Sequence, residues 1–350
     1  MQTVLESLNA ALHAAFAADD RVVMLGEDLL DPYGGAFKVA RGLSSAYPER
    51  VLTTPISEAA LAGLAAGMAL RGLRPVVEIM FGDFITLAAD QIINHISKFR
   101  WMYNDRVNLP LVIRTPMGGR RGYGPTHSQS LEKMFLGIPG LRVLAPAALH
   151  MPEAEGPGGL LRRAILEDDG PVLFIENKLL YLLPVLEPEN LSDFEVQTIT
   201  PVAPGLEEGD TGPEYGPTYI LRLLGAPPPA LTITAYGYMA ELAREAVLKL
   251  AYDNELFAEL VVPTQLAPFR GKGLLASARV TRRLLAVEEG SLSSGWGAEV
   301  LARTAEALGP NLLCARRLAA KDHPIPASGS LEASALPGVE DIVRTACSLV

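Results

Sequence analysis

The stretch Thr53-Thr54-Pro55-Ile56-Ser57-Glu58-Ala59-Ala60 joins a short extended segment, 50–53, to a helix of small apolar residues that runs from Ala59 to Leu70. A carboxylate placed where a strand gives way to a buried helix is costly unless a donor or a cation binds it. Glu58 either stabilises the positive end of its own helix dipole or reaches a ligand. By itself, this stretch leaves both roles open.

Short apolar runs alternate with helical patterns on both sides of this stretch. Continuous runs of roughly four to eight apolar residues are typical of parallel strands that are buried on both faces. The first series occupies 21–26, 74–80, 109–114, 141–146 and 172–176, and a second series begins at Leu231 and continues through 260–262 and 284–290. The alternation predicts an α/β fold class with two doubly wound, mostly parallel-sheet domains.

The stretch 184–230 interrupts this alternation. It contains nine of the 27 prolines, five glycines and eight acidic residues against one arginine. We therefore expect a first domain at 1–183, a Pro/Gly/acid-rich connector at 184–230 with an irregular insertion around 205–229, and a second domain at 231–350. The connector contributes −7 to the formal charge of −10, so the charge describes this segment more than a partner.

Composition excludes several classes of function. The acidic balance and the lack of a dense Lys/Arg run argue against a nucleic-acid partner. The apolar run from Ala59 to Leu70 is too short to span a bilayer, and the amphipathic amino terminus does not resemble a signal peptide. Two cysteines, Cys314 and Cys347, cannot build a disulfide framework. We expect a cytoplasmic protein with no membrane partner.

The most unusual loop spans 117–130 and reads Met-Gly-Gly-Arg-Arg-Gly-Tyr-Gly-Pro-Thr-His-Ser-Gln-Ser. It follows a predicted strand, and open α/β sheets bind ligands beyond the carboxyl ends of their strands. Its histidine, His127, is either a residue of such a site or a hydrogen-bonding residue of the loop. The other four histidines do not pair at the spacing of metal ligands, so a zinc site is not expected.

Five short motifs occur in an order that resembles a known family. They are Leu25-Gly26-Glu27-Asp28, Thr54-Pro55-Ile56-Ser57-Glu58, Glu78-Ile79-Met80-Phe81-Gly82-Asp83-Phe84, Thr126-His127-Ser128-Gln129-Ser130 and Val287-Glu288-Glu289-Gly290. Together they resemble the β subunit of the 2-oxo acid dehydrogenase E1 component, a transketolase-like family that depends on thiamine diphosphate. The resemblance covers nearly the whole chain apart from 184–230. It identifies 1–183 as the pyrimidine-binding domain and 231–350 as the transketolase C-terminal-like domain.

The resemblance implies roles for five residues. Glu58 matches the glutamate that hydrogen-bonds the cofactor's pyrimidine and promotes its imino tautomer, which removes the thiazolium C2 proton. Phe84 matches the aromatic residue that stacks on the pyrimidine, although it also fits an ordinary core residue. Ile56 and Met80 are further cofactor-binding candidates. His127 matches a histidine that faces the substrate or the incoming lipoyl group and transfers a proton.

The resemblance also implies that this chain holds half of an active site. The family binds the cofactor's diphosphate through Mg²⁺ and a Gly-Asp-Gly motif followed by Asn, and the nearest string here, 209–212, departs from that motif. The E1 α subunit is therefore expected to carry Mg²⁺ in an α2β2 heterotetramer, with no Mg²⁺ bound by this chain. Some relatives hold an alkali ion such as K⁺ at a place that matches Leu111, Ile165, Leu166, Asp168 and Gly170.

The function that follows is oxidative decarboxylation of a 2-oxo acid, such as pyruvate or a branched-chain acid, with acyl transfer to the lipoyl group of an E2 acyltransferase. The chain is expected to act as an enzyme only with its α subunit. One alternative is half of another two-subunit thiamine-diphosphate lyase or transketolase-like enzyme. A second alternative is a non-catalytic dimerisation module of the same fold, against which the joint presence of Glu58, Phe84 and His127 argues.

Overall fold

Two β-sheets with flanking helices make up the part of the chain that the computed structural model describes, residues 1–200 and 215–350. The strands of that part are β1 (Val22–Gly26), β2 (Val51–Thr53), β3 (Arg74–Glu78), β4 (Leu111–Met117), β5 (Arg142–Leu144), β6 (Pro171–Asn177), β7 (Phe194–Ile199), β8 (Thr218–Leu223), β9 (Leu231–Ala235), β10 (Ala258–Pro263), β11 (Gln265–Ala267), β12 (Arg283–Ser291) and β13 (Cys314–Ala320). Its α-helices are α1 (Val4–Ala18), α2 (Leu43–Ala46), α3 (Glu58–Leu70), α4 (Phe99–Met102), α5 (Pro157–Leu166), α6 (Tyr238–Asn254), α7 (Lys272–Thr281), α8 (Trp296–Leu308), α9 (Gly329–Ala335) and α10 (Val339–Cys347). Both sheets are mostly parallel, which confirms the predicted α/β class.

The first sheet has the strand order β11-β5-β6-β4-β3-β1-β2, and each neighbouring pair except β11 with β5 is parallel. Helices cover both of its faces. Val22 and Met24 pack in the same cluster as α1 and α5, whereas Val23 and Leu25 pack with α3 on the other face. Successive side chains of a strand point to opposite faces, so a strand covered on both sides reads as a continuous apolar run.

The second sheet has the order β13-β12-β9-β10-β8-β7. Its first four strands are parallel, and β8 and β7 continue it in antiparallel register. Strands β7 and β8 lie within 184–230, so the interpretation of that whole stretch as a connector was wrong for these residues. The run Thr218-Tyr219-Ile220-Leu221 is buried, but prolines and acidic residues around it dominate the composition of the stretch. Residues 205–214 of the predicted insertion lie in 201–214, which is outside the described residues.

The carboxyl-terminal half of the chain contributes one short strand to the first sheet. β11 comes from the carboxyl-terminal half, yet it pairs with β5 at the edge of the first sheet. Leu266 of β11 and Trp296 of α8 pack in one cluster with Ile113 of the first sheet. The region 231–350 therefore completes the first sheet as well as forming most of the second, and the two sheets share an apolar core.

Helix α3 leaves one face uncovered beside Glu58. Leu61 and Ala65 are buried against the first sheet, whereas Leu64 is 50% exposed. A Cβ atom at Gly67 would meet nothing within 4 Å, so no residue that the structure describes packs against this glycine. Within the described ranges, none of the helices combines the length and the apolar character needed to cross a membrane.

Candidate active site

The carboxyl-terminal edge of the first sheet brings the predicted site residues together. In the order of the strands across the sheet, Lys178 follows β6, the loop with His127 follows β4, Phe84 follows β3, Glu27 follows β1 and Glu58 follows β2. Parallel strands end at the same edge, so residues that are far apart in the sequence become neighbours there. Four of the five quoted motifs thus lie at one edge of the first sheet, and the fifth, at 287–290, lies on β12 of the second sheet.

Glu58 is the first residue of α3, and its side chain is buried with 4% exposure. The helix has no side-chain capping hydrogen bond. Among the described residues, none donates a hydrogen bond to the Glu58 carboxylate. Glu27 lies close by and accepts a hydrogen bond from the main-chain N–H of Ser57 at 3.2 Å. Burial raises the pKa of Glu27, and the negative charge of Glu58 raises it further.

The Glu58 carboxylate indicates whether a ligand fits here, because it is buried and receives no hydrogen bond from the described residues. A carboxylate that leaves water needs a donor or a cation, and the described residues, 1–200 and 215–350, supply neither to Glu58. The neighbouring Ile56 is 79% exposed, so the chain leaves open the approach on that side. A flat heterocycle with a ring nitrogen or N–H group would complete the hydrogen bonding of Glu58. The residues therefore fit the pyrimidine of thiamine diphosphate.

Aromatic rings form the next part of the site. The ring of His127 lies 5.1 Å from that of Phe84 and 4.9 Å from that of Phe81, both in edge-to-face geometry. Phe81 and Phe84 are themselves 5.8 Å apart. Phe84 and Met80 are both half-buried, so Phe84 keeps part of its surface open, unlike a sealed core residue. Phe81 lies within a motif that the sequence analysis quoted, but it was not singled out.

The loop that carries His127 is held by two carboxylates from the carboxyl-terminal half of the chain. The main-chain N–H of Gly119 donates to Glu289 at 2.5 Å, and those of Arg120 and Gly122 donate to Glu332 at 2.7 and 3.0 Å. Gly118 and Gly122 have φ values of +98° and +69°, a left-handed conformation that other residues rarely adopt.

Asp83 ties this loop to the segment after β3. Its Oδ1 accepts hydrogen bonds from the main-chain N–H and the side-chain amide of Gln129 at 3.3 and 2.9 Å. Its Oδ2 is buried and has no hydrogen-bond partner within residues 1–200 and 215–350. Like Glu58, Asp83 therefore has an acceptor oxygen that the described residues leave without a donor.

Three of the charged residues in this region escaped the sequence analysis. Glu289 was quoted only as part of a motif, and neither Glu332 nor Lys178 was considered. Lys178 has no exposed surface, and its ammonium group donates to the main-chain oxygen of His127. A lysine directly after a buried strand, in Ile175-Glu176-Asn177-Lys178, was the available signal. A charged side chain at such a position is buried only when it has partners.

The predicted alkali-ion residues lie where α5 leads into β6, together with Leu111 of β4. Two of the predicted carbonyl ligands already have a cationic partner. The guanidinium of Arg74 donates to the main-chain oxygens of Ile165 and Asp168, both at 2.6 Å. Arg74 is 5% exposed and also lies 3.6 Å from the carboxylate of Asp169. The guanidinium of Arg74 thus already provides a positive charge where α5 leads into β6.

No cluster of metal-binding side chains is present in the described part of the chain. No group of three or more His, Cys, Asp or Glu side chains there has the arrangement to hold a metal ion. The string Gly209-Asp210-Thr211-Gly212 lies outside the described residues.

Comparison with known proteins gives matches along the whole chain. The family model "Transketolase, pyrimidine binding domain" matches residues 1–183, and "Transketolase, C-terminal domain" matches 225–342. A relative from Oryza sativa subsp. japonica, "Pyruvate dehydrogenase E1 component subunit beta-2, mitochondrial", is 37% identical over 346 residues, which cover 98% of this chain and 85% of the relative. "Pyruvate dehydrogenase E1 component subunit beta" from Rickettsia conorii is 33% identical over 345 residues, covering 98% and 96%.

A solved structure described as "Split gene transketolase, inactive beta4 tetramer" shares the fold. Its TM-score is 0.71 at 21% identity, and the match covers 100% of this chain and 98% of that one. At this identity the likeness bears on the fold alone.

Proposed function

This chain belongs to the family of pyruvate dehydrogenase E1 β subunits, and we propose that its first sheet provides the pyrimidine half of an active site that an E1 α subunit completes. The family depends on thiamine diphosphate and works with an α subunit. The reaction we assign is oxidative decarboxylation of a 2-oxo acid, with pyruvate as the first candidate and branched-chain acids as the second. The observation that carries the proposal is the buried carboxylate of Glu58, to which none of the residues in the described part of the chain donates a hydrogen bond.

Thiamine diphosphate, when bound next to Glu58 and Phe84, would supply a nucleophilic carbon and an electron sink for decarboxylation of a 2-oxo acid. Glu58 shares a proton with the cofactor's pyrimidine ring and so keeps the ring in the tautomer that can act as a base. Phe84 presents an aromatic face to the pyrimidine, and Met80 and Ile56 complete the apolar contacts.

His127 is assigned to the second half of the reaction. Its imidazole stands against Phe81 and Phe84 at the open side of the loop, where it can hydrogen-bond a substrate carboxylate. There it donates a proton to the lipoyl group of E2 as the acyl group is transferred. The loop carboxylates fix the main chain from which this side chain projects. The acyl transfer is therefore the step that depends on the position of His127.

The partners follow from what the chain lacks. The α subunit would bind the diphosphate through Mg²⁺, and an α2β2 assembly would cover the open face of α3 around Leu64 and Gly67. An alkali ion such as K⁺ at Leu111, Ile165, Leu166, Asp168 and Gly170 would add little, because Arg74 already donates to two of these carbonyl oxygens. Cys314 and Cys347 are both free, which supports a reducing compartment, and we propose the cytoplasm.

The decisive experiment is co-expression of this chain with the α subunit of the same source. The purified complex should decarboxylate pyruvate or a branched 2-oxo acid and acylate a lipoyl domain, and the chain alone should bind thiamine diphosphate poorly. Decarboxylation without lipoyl acylation would favour the two-subunit lyase. Tight cofactor binding by the isolated chain would contradict the half-site, and an inactive, cofactor-free complex would favour the dimerisation module.

A further inference from the structure

Lys178 is a buried cation at the centre of the proposed site, and the reaction described above does not use it. Its main-chain N–H donates to the oxygen of Met117 at 3.0 Å, so its backbone is fixed to the end of β4. From there its side chain reaches beneath the loop, and the ammonium group donates to the main-chain oxygen of His127. The ends of β6 and β4 thus hold the main chain of Lys178, and the carbonyl of His127 accepts a hydrogen bond from its ammonium group.

Aromatic rings surround the ammonium group. The nitrogen lies 5.2 Å from the ring centre of Phe81 and 5.5 Å from that of Tyr123, within the range of cation–π attraction. Phe81 is also one of the two rings against which the imidazole of His127 packs. Lys178 therefore contacts the main chain of His127 and one of the rings that border its side chain.

The charged groups that face Lys178 come from several elements. Burial lowers the pKa of Lys178 to about 8, whereas Asp83, Glu289 and Glu332 favour its charged form and Arg121 opposes it. Glu289 and Glu332 are the carboxylates that hold the other end of the same loop. The lysine is thus charged at neutral pH, and the electrostatic balance around it links both halves of the chain to the loop.

We propose that Lys178 is a positioning residue for His127, which holds the main chain of the loop so that the imidazole stands against Phe81 and Phe84 during acyl transfer. This inference rests on the function proposed above. The loop between Gly118 and Gly124 is rich in glycine, a residue that can adopt many backbone conformations. A hydrogen bond from the charged ammonium group of Lys178 to the carbonyl of His127 restricts the loop at the residue whose imidazole is assigned to acyl transfer. Lys178 acts through His127 and need not touch the substrate.

The test uses the assembled complex and three variants at this position. Lys178→Met removes the donor, Lys178→Gln keeps a donor without the charge, and Lys178→Arg keeps the charge at every accessible pH. Lys133→Met is the matched control, because Lys133 donates to the main-chain oxygen of Ser293 at 2.7 Å, outside this loop. Lys178→Met should lower kcat for acylation of a lipoyl domain about tenfold or more, with a change below about threefold in decarboxylation measured with an artificial acceptor.

Two further results separate positioning from a general structural role. Lys178→Met should cost little more in the His127→Ala background, because residues that act as a unit are not additive. The rate of acylation should fall above about pH 8 in the unaltered complex but not in Lys178→Arg. Independent losses in the double variant, or equal losses in both reactions, would overturn the proposal. Lys178→Gln, which keeps a polar donor in the buried site, decides the matter if the methionine variant does not assemble.

A readout without activity keeps this inference distinct from the proposed function. Trypsin cleavage after Arg120 or Arg121, followed by mass spectrometry on the full chain, reports how often the loop opens. Lys178→Met should be cut several-fold faster than the unaltered chain and the Lys133→Met control. An unchanged cleavage rate would overturn the role of Lys178 even in an active complex. Faster cleavage in a chain whose complex is inactive would support the role and reject only the proposed function.

Discussion

The main-chain N–H of Gly119 donates a hydrogen bond of 2.5 Å to Glu289 Oε1, although 170 residues separate the two in the chain. The other oxygen of Glu289 accepts a hydrogen bond from the side-chain amide of Asn177 at 3.1 Å. One carboxylate of the second sheet thus holds both the loop after β4 and the end of β6. The carboxyl-terminal half is therefore part of the site's construction.

Glu289→Ala should loosen the His127 loop without touching the residues that face the ligand. The change leaves the N–H of Gly119 and the amide of Asn177 without their acceptor, which should lower the free energy of unfolding by about 1–3 kcal/mol. Lipoyl acylation should fall more than decarboxylation, and thermal unfolding with both assays would measure these effects. The control is Glu299→Ala, which removes an exposed carboxylate paired with Arg303. Equal effects of the two variants would contradict this role for Glu289.

Glu58→Gln should leave the assembly folded and lower decarboxylation by about 10²-fold or more. The amide retains the shape of the side chain but cannot share a proton with the pyrimidine in the same way. Steady-state kinetics of the complex and its size by light scattering would measure both effects. A variant that turns over normally with its α subunit would refute the assigned chemistry.

His127→Ala should reduce acylation of a lipoyl domain by about 10²–10⁴-fold, the usual range for loss of a positioned proton donor. Decarboxylation measured with an artificial electron acceptor should fall much less, because that assay bypasses the lipoyl group. His95→Ala is a suitable control, since that histidine is exposed and outside the site. Parallel losses in the two assays would remove the distinction on which the role of His127 depends.

Glu288→Gln should remove a pH dependence of stability. Burial raises the pKa of Glu288 from 4.5 to about 7, so the folded chain binds more protons than the unfolded chain between these values, and its stability falls as pH rises through them. At pH 8 the variant should be more stable than the unaltered chain by on the order of 3 kcal/mol. Near pH 4 the two should unfold alike.

Chemical denaturation across that pH range would measure the difference. The substitution keeps an oxygen for the main-chain N–H of Gly297, which donates to Glu288 at 2.9 Å. Its new amide replaces Oε2, which is buried without a partner in the described part of the chain. A variant that is less stable than the unaltered chain at pH 8 would show that the charge of Glu288 is stabilising.

Potassium should have little effect on stability, because Arg74 already supplies a positive charge to the carbonyl oxygens of Ile165 and Asp168. Exchange of choline for K⁺ at constant ionic strength should move Tm by less than about 1 °C. Arg74→Met should instead lower the free energy of unfolding by about 3 kcal/mol or more, because it leaves buried acceptors without donors. A rise in Tm of several degrees with K⁺ would contradict this expectation.

Local patterns in the sequence determined much of this protein. The apolar runs that became β1, β3, β4 and β6 predict buried parallel strands, because a strand covered by helices on both faces has no polar side. Residues just after such strands must share one edge of the sheet, and Glu58, Phe84 and His127, which the family resemblance indicated, lie at that edge. Their roles stay predictions. The same reasoning misread 184–230, where the average composition concealed β7 and β8.

Tertiary structure alone decided how these residues are held. Glu289 and Glu332 reach the loop of His127 across the whole chain, Lys178 rises into it from β6, and Arg74 serves carbonyl groups more than 90 residues away. Such contacts depend on how the two sheets pack and on the pairing of β11 with the edge of the first sheet. Periodicity describes which face of an element is buried, but it does not specify which distant polar group will meet it. That pairing is decided only when the buried charges of the folded chain find their partners.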